Sequence, residues 1–121
     1  FEAAIAEYEV YIQERLEDQD APPEYNPNFY YLLIGDCYQG LDKPEEALAA
    51  YLKAKDNKVD SSIVGSKLRS LASWYEQRAR YEEAIALLQQ HRELDPLLFD
   101  LDIDRNHKLL VGTEVGKQKL Y

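Results

Sequence analysis

The stretch Leu32 to Ala54, LLIGDCYQGLDKPEEALAAYLKA, constrains the fold more than any other, because it reads as two helices folded against each other. Leu33, Ile34 and Tyr38 sit at helical spacing, interrupted by the small residues Gly35 and Cys37. Gly40 and Pro44 bracket a short break, and a proline suits the first turn of a helix, where its missing N–H has no helical partner to lose. Ala47, Tyr51 and Ala54 recur at i, i+4 and i+7 and so share one face. Gly35 and Ala47 let two backbones approach closely, while Tyr38 and Tyr51 fill the space beside them. One such hairpin cannot bury its own apolar face. It needs neighbours built the same way.

A shift of 37 residues brings the unit back as Leu68 to His91, LRSLASWYEQRARYEEAIALLQQH. Gly35 falls on Ala72, Tyr38 on Tyr75, Ala47 on Ala84 and Tyr51 on Leu88. Both units resemble the tetratricopeptide repeat, a helix–turn–helix of about 34 residues. The first unit matches that pattern at Tyr31, Ile34, Gly35, Tyr38, Ala47, Tyr51 and Ala54. The second matches at Leu68, Leu71, Ala72, Tyr75, Tyr81, Ala84 and Pro96. The departures are Pro44 at the usual Tyr, Leu88 at the usual aromatic and His91 at the usual second Ala. The three extra residues lie in the connection Asp56 to Ser62.

The resemblance implies an all-α fold of about six helices, in which antiparallel hairpins stack as a right-handed superhelix. Residues 1–121 are expected to form one such domain, with full repeats at 28–61 and 65–98. Phe1 to Asp18 reads as a helix with a stripe of Ile5, Tyr8, Ile12 and Leu16. Its FEAAIAEY lines up with YEEAIALL at Tyr81 to Leu88, so 1–18 is expected to be a second helix whose own first helix is absent. Gln19 to Pro27 carries three prolines, which forbid a continuing helix; it is expected to be a surface connection. The next helices are expected to fade near Asp56–Asn57, to run from Asp60 or Ser61 to about Arg78, and to end near Leu94 ahead of Pro96. PLLFDLDIDRN is expected to be a loop before a last helix from about Asn106, with 105–121 as the first helix of a further repeat. There Leu110, Val111 and Gly112 echo Leu33, Ile34 and Gly35, Val115 answers Tyr38, and Tyr121 falls where Tyr81 stood. That phase is the one expected of a slice from a longer array.

Charge narrows the partners. The formal net charge is −9, and residues 1–27 hold eight acids against Arg15 alone. Nucleic-acid backbones need clustered Lys and Arg, so this field repels them, and it attracts a basic surface instead. No apolar run approaches the ~20 residues of a membrane-spanning helix. The first segment is an acidic helix with no secretory pattern, and one cysteine, Cys37, allows no internal disulfide. An intracellular setting, cytoplasmic or nuclear, is expected.

Candidate chemistry is sparse. DLDID at Asp100 to Asp104 opens like a calcium-binding loop, but such a loop needs a Gly at its turn and a bidentate acid at its end. Arg105 and Val111 stand there instead. His91 and His107 have no ligand-spaced partner, and His91 reads as a helix-interface residue. Cys37 is expected to be buried, where a thiol acts as a small hydrophobe. No Gly-rich phosphate loop is present, and no Ser–His–Asp set has a recognisable frame. Glu45/Glu46 and Glu82/Glu83 recur at helix N-termini, where they favour the helix dipole. No catalytic residue, metal or cofactor is expected.

What remains is a surface. The resemblance implies that first helices line a concave groove and second helices form the outside. Side chains of the first helices not used for packing are then expected to face a partner: Phe29, Leu32, Asp36 and Gln39; Ser66, Arg69, Ser73 and Glu76; Asn106, Leu109 and Thr113. This mixed lining suits an extended or helical peptide with an apolar anchor and a basic group. Trp74 is expected to pack at the junction beside Tyr75. One subgroup of the family grips the acidic C-terminal tail of heat-shock chaperones with a Lys and an Asn in the first helix. Leu32 and Asp36 hold the matching places, and Asp36 would repel a carboxylate, so that partner is not expected. The reading is a non-enzymatic interaction module, a scaffold segment of an assembly; the alternative is a peptide-sensing regulatory domain of a signalling or transcription-regulating protein.

Overall fold

The computed structural model describes residues 1–18 and 26–119, with side chains up to residue 113. Six α-helices fill it: α1 (Glu2–Glu17), α2 (Tyr30–Gly40), α3 (Pro44–Asp56), α4 (Ser61–Gln77), α5 (Tyr81–Gln90) and α6 (Pro96–Lys119). Short 3-10 turns at Pro27–Phe29 and Arg92–Leu94 lead into α2 and out of α5. Among the described residues there is no strand, and no helix is long and apolar enough to cross a membrane. The chain divides into two compact units, Phe1–Lys67 and Leu68–Tyr121, the boundary falling inside α4.

The two hairpin turns are copies. Asp42 and Ala79, 37 residues apart, both adopt the left-handed region at φ 58°. In each turn the following amide reaches back five residues, Lys43 N to Tyr38 O at 2.9 Å and Arg80 N to Tyr75 O at 2.9 Å. These bonds satisfy carbonyls that a helix end leaves orphaned. Pro44 then starts α3 and Tyr81 starts α5, each followed by a glutamate pair in the first turn. The N-termini of the first helices are also alike. Asn26 accepts from Asn28 N at 3.0 Å, Asp60 from Ser62 N at 2.8 Å and Asp95 from Leu98 N at 3.3 Å, the side-chain caps that Asn and Asp favour.

In the first unit the core gathers Ile5 and Ile12 of α1, Ile34 and Cys37 of α2 and Ala50 of α3, with Tyr8, Tyr30, Tyr31 and Tyr38 packed around them. α2 and α3 approach closely at Gly35. A Cβ added to Gly35 would lie 2.6 Å from Tyr51 Cδ1, so the ring occupies the space that any other side chain would need. Tyr51 and Ala47 are both fully buried. In the second unit Leu68, Leu71, Ala72, Ala84, Leu88 and Phe99 are buried to 2% exposure or less.

The last helix corrects the sequence reading. α6 begins at Pro96, not near Asn106, so DLDID lies within a helix and is not a loop. Asp95 caps it, and Pro96 takes the first helical position. The echo at Leu110, Val111 and Gly112 also fails. Val111 is 56% exposed where Ile34 is 2%, and a Cβ on Gly112 would meet nothing within 4 Å. Among the described side chains of α6, those buried are Phe99, Asp102 and Asn106. They stand 34 residues after Gly65, Leu68 and Ala72, which are buried on α4. Asn106 therefore occupies the place of Ala72 and Gly35. Of the proline-rich connection, residues 19–25 lie outside the described residues, as do the side chain of Val115 and the whole of Tyr121.

Candidate functional site

Polar groups on the first helices were the candidates for partner contact, and most of them are held within their own unit. In the first unit Tyr51 is the hub. Its hydroxyl donates to Asp36 Oδ1 at 2.7 Å and accepts from Gln39 Nε2 at 2.7 Å. The other Asp36 oxygen takes the Lys67 ammonium at 2.7 Å. Burial pushes the Tyr51 hydroxyl far up from its ordinary pKa, and the Asp36 carboxylate adds to the shift. The hydroxyl is thus a fixed donor that ties the second helix of the hairpin to the polar side of the first.

In the second unit the corresponding tie is ionic. Asp102, 3% exposed, accepts from Arg69 Nε at 2.6 Å and Nη2 at 3.2 Å, and from Arg105 Nη1 at 3.0 Å. Arg105 reaches on to Glu76, Nε at 2.7 Å and Nη2 at 2.9 Å. Burial works to raise the Asp102 carboxyl, but the two guanidiniums outweigh it and hold the group below the usual carboxylate range. Glu76 in turn raises Arg105. Planar guanidinium forks suit this duty because they meet a carboxylate with two parallel bonds. The chain of four charges joins α4 to α6 and is electrically balanced.

The expected partner-facing residues therefore separate into three groups. Leu32 is 1% exposed and is a packing residue, a correction to its expected place on an open face. Asn106 is likewise fully buried; its Nδ2 donates to Asp102 O at 2.8 Å, while its Oδ1 has no partner. Asp36, Gln39, Arg69 and Glu76 are engaged in the networks above, so Arg69 is not a spare cation. Phe29 (45% exposed), Leu109 (38% exposed), Ser66 and Thr113 are open, and Ser73 is half-buried. Thr113 Oγ1 donates to Leu109 O at 2.9 Å. His91 is buried, as expected of an interface histidine, and so is Cys37. Trp74 is half-buried, its ring edge-on to Tyr75 at 5.2 Å with the Arg78 guanidinium 3.8 Å from its centroid.

Two features escaped the sequence reading. An aromatic group runs along the joint of α1 and α2. Tyr30 meets Tyr8 at 5.8 Å, Tyr11 at 4.7 Å and Phe29 at 6.3 Å, and Arg15 lies 4.7 Å over Tyr11. The three tyrosines and one phenylalanine were visible in the sequence, but their meeting depends on the docking of α1. The second feature is an open groove of about 350 Å³ on α1, with Ala6, Val10 and Tyr11 for its apolar part and Glu7 and Glu14 beside them. Among the described residues no group of three or more His, Cys, Asp or Glu could hold a metal ion.

Comparison with known families now has a geometry to meet. Residues 68–100 match the tetratricopeptide repeat family model. That span covers the second unit's part of α4, all of α5 and the opening of α6, so it contains the copied turn at Ala79 and the buried Ala72 and Ala84. No curated protein matches the chain at a significant level. The matched hairpin is thus similar to a tetratricopeptide repeat, a helix–turn–helix unit that in general serves protein–protein interaction.

Proposed function

We propose that this chain is a protein-interaction module that acts as a scaffold segment of a multi-subunit assembly, holding a peptide or helix of a partner against the open faces of its first helices. The observation that carries the reading is the tetratricopeptide repeat match at 68–100 joined to an all-helical fold with the repeat's small-residue packing. Each unit offers an exposed apolar contact, Phe29 in the turn that leads into α2 and Leu109 on α6. Asp36, Gln39, Arg69 and Glu76 are already paired, so recognition rests on apolar anchoring and shape more than on these charges. Aromatic side chains are efficient anchors of this kind. The acidic N-terminal helix favours partners whose flanks are basic.

Selection of binders from a displayed random-peptide library tests this. Wild-type chain and the variants Phe29→Glu and Leu109→Glu, each checked for helicity, would be compared on the selected peptides. The reading expects binding that either exposed-face substitution weakens. Binders held equally by both variants would overturn it.

A further inference from the structure

We propose that the outer face of α6 is a dimerisation surface on which a second copy of this chain seats its own α6, antiparallel. The face is defined by Leu97, Leu101, Asp104, Lys108 and Val111, all exposed, with the three aliphatic side chains at 73%, 57% and 56%. Their spacing of four, three, four and three is the alternation that keeps a stripe facing one partner helix. The buried residues Phe99, Asp102 and Asn106 lie on the opposite side and fasten α6 to its own unit.

The matching stripe on α2 shows what such a face receives. With Asn106 in the place of Gly35, Leu101 corresponds to Tyr30, Lys108 to Cys37 and Val111 to Gly40. On α2 those positions are covered by a helix. Tyr30 lies against Tyr8 and Tyr11, Cys37 joins the cluster of Ile5 and Ile12, and the Phe1 ring lies over Gly40. On α6 they are open.

The choice of a second copy comes from the symmetry of the stripe. A twofold axis at the level of residue 106 sets Leu101 against Val111 of the other copy, and Asp104 against Lys108. Both contacts occur twice, as an isologous interface requires. A parallel arrangement would place Asp104 on Asp104 and Lys108 on Lys108, so the charges select the antiparallel one. Leu97 to Val111 covers about 21 Å of helix at about 1.5 Å per residue. A single seam of that length lies at or below the low end of specific interfaces, which implies a weak, concentration-dependent dimer.

Sedimentation equilibrium of the whole chain, from micromolar to millimolar concentration, is the test. Wild type should pass from monomer to dimer across that range. Leu101→Glu with Val111→Glu should remain monomeric with an unchanged circular dichroism spectrum, since both side chains are exposed. Lys108→Asp should weaken the dimer by at least about tenfold through like-charge contact, and adding Asp104→Lys should restore it. In a Cys37→Ser background, a mixture of Leu101→Cys and Val111→Cys chains should form an interchain disulfide under mild oxidation that neither forms alone. A wild-type chain that stays monomeric throughout, or a dimer indifferent to the paired glutamates, would overturn the proposal.

Discussion

The two units solve one problem, fixing a first helix to its neighbour, by different means. In the first, Gly35 admits the Tyr51 ring and the ring's hydroxyl collects Asp36 and Gln39. In the second, Asn106 stands in the glycine's place, and α6 is tied to α4 by Arg69, Asp102, Arg105 and Glu76. Shape closes one contact and charge closes the other. The difference teaches that a repeat position can keep its burial while exchanging its chemistry, here with Asn106 Nδ2 bonded to Asp102 O and the charges beside it paired. It also predicts different responses: the first contact should fail by steric insult, the second by acid, salt or the loss of one ion.

The largest effect is expected at Leu32. Leu32→Glu places a charge in a site 1% exposed and should cost more than about 3 kcal/mol, enough to lower the urea midpoint sharply or to prevent folding. A midpoint near wild type would return Leu32 to an open face. Next comes Gly35→Leu, which must displace the Tyr51 ring; a loss of about 3 kcal/mol is expected, unchanged by salt. Asp102→Asn should cost about 2 kcal/mol, since it leaves two guanidiniums without their shared anion.

That variant also carries the pH test. The Asp102 carboxyl is held below the usual range in the folded chain, against about 3.9 when unfolded. Its contribution is therefore complete above the unfolded value and is lost as pH falls through the lower, folded one. Wild type should show an acid limb below about pH 4 that Asp102→Asn flattens, measured by thermal melts across pH. Equal limbs in both proteins would remove the ionic tie from the comparison.

Tyr51→Phe keeps the ring against Gly35 and removes only the hydroxyl, so about 1 kcal/mol is expected. The smallest effect sharpens the comparison between the turns. Ala79 and Asp42 share a left-handed backbone, but aspartate tolerates it better than alanine. Ala79→Gly should stabilise the chain by about 0.5–1 kcal/mol, and Asp42→Gly by less. Equal gains would show that the turns are strained alike.

Much of this was legible in the sequence for local reasons. The two hairpins announced themselves through small residues facing small residues, and Gly35, Ala47, Ala72 and Ala84 are all buried as that spacing requires. The resemblance of the second hairpin to the tetratricopeptide repeat is legible too, since that hairpin matches the repeat model. The start of α6 was not. Asp100, Asp102 and Asp104 break the apolar rhythm of PLLFDLDID, so the segment reads as a loop. Asp102 is buried beside two guanidiniums, and while Arg105 is a local i+3 neighbour, Arg69 stands 33 residues earlier in the chain, where no local pattern reports it. The same pairing disguised Arg69 as a free cation. Leu32 was misjudged because Tyr31, Ile34 and Gly35 already account for the packing face of a short helix, leaving it apparently spare.

The register of α6 decides which residues of the second unit face outward, so it is the most direct thing to measure. Amide hydrogen exchange across residues 96–113, followed residue by residue, separates the two possibilities. The account predicts protection that begins within the first turn after Pro96 and is strongest around Phe99, Asp102 and Asn106. Rapid exchange from Leu97 through Arg105, with protection starting only at Asn106, would contradict it and return DLDID to a loop.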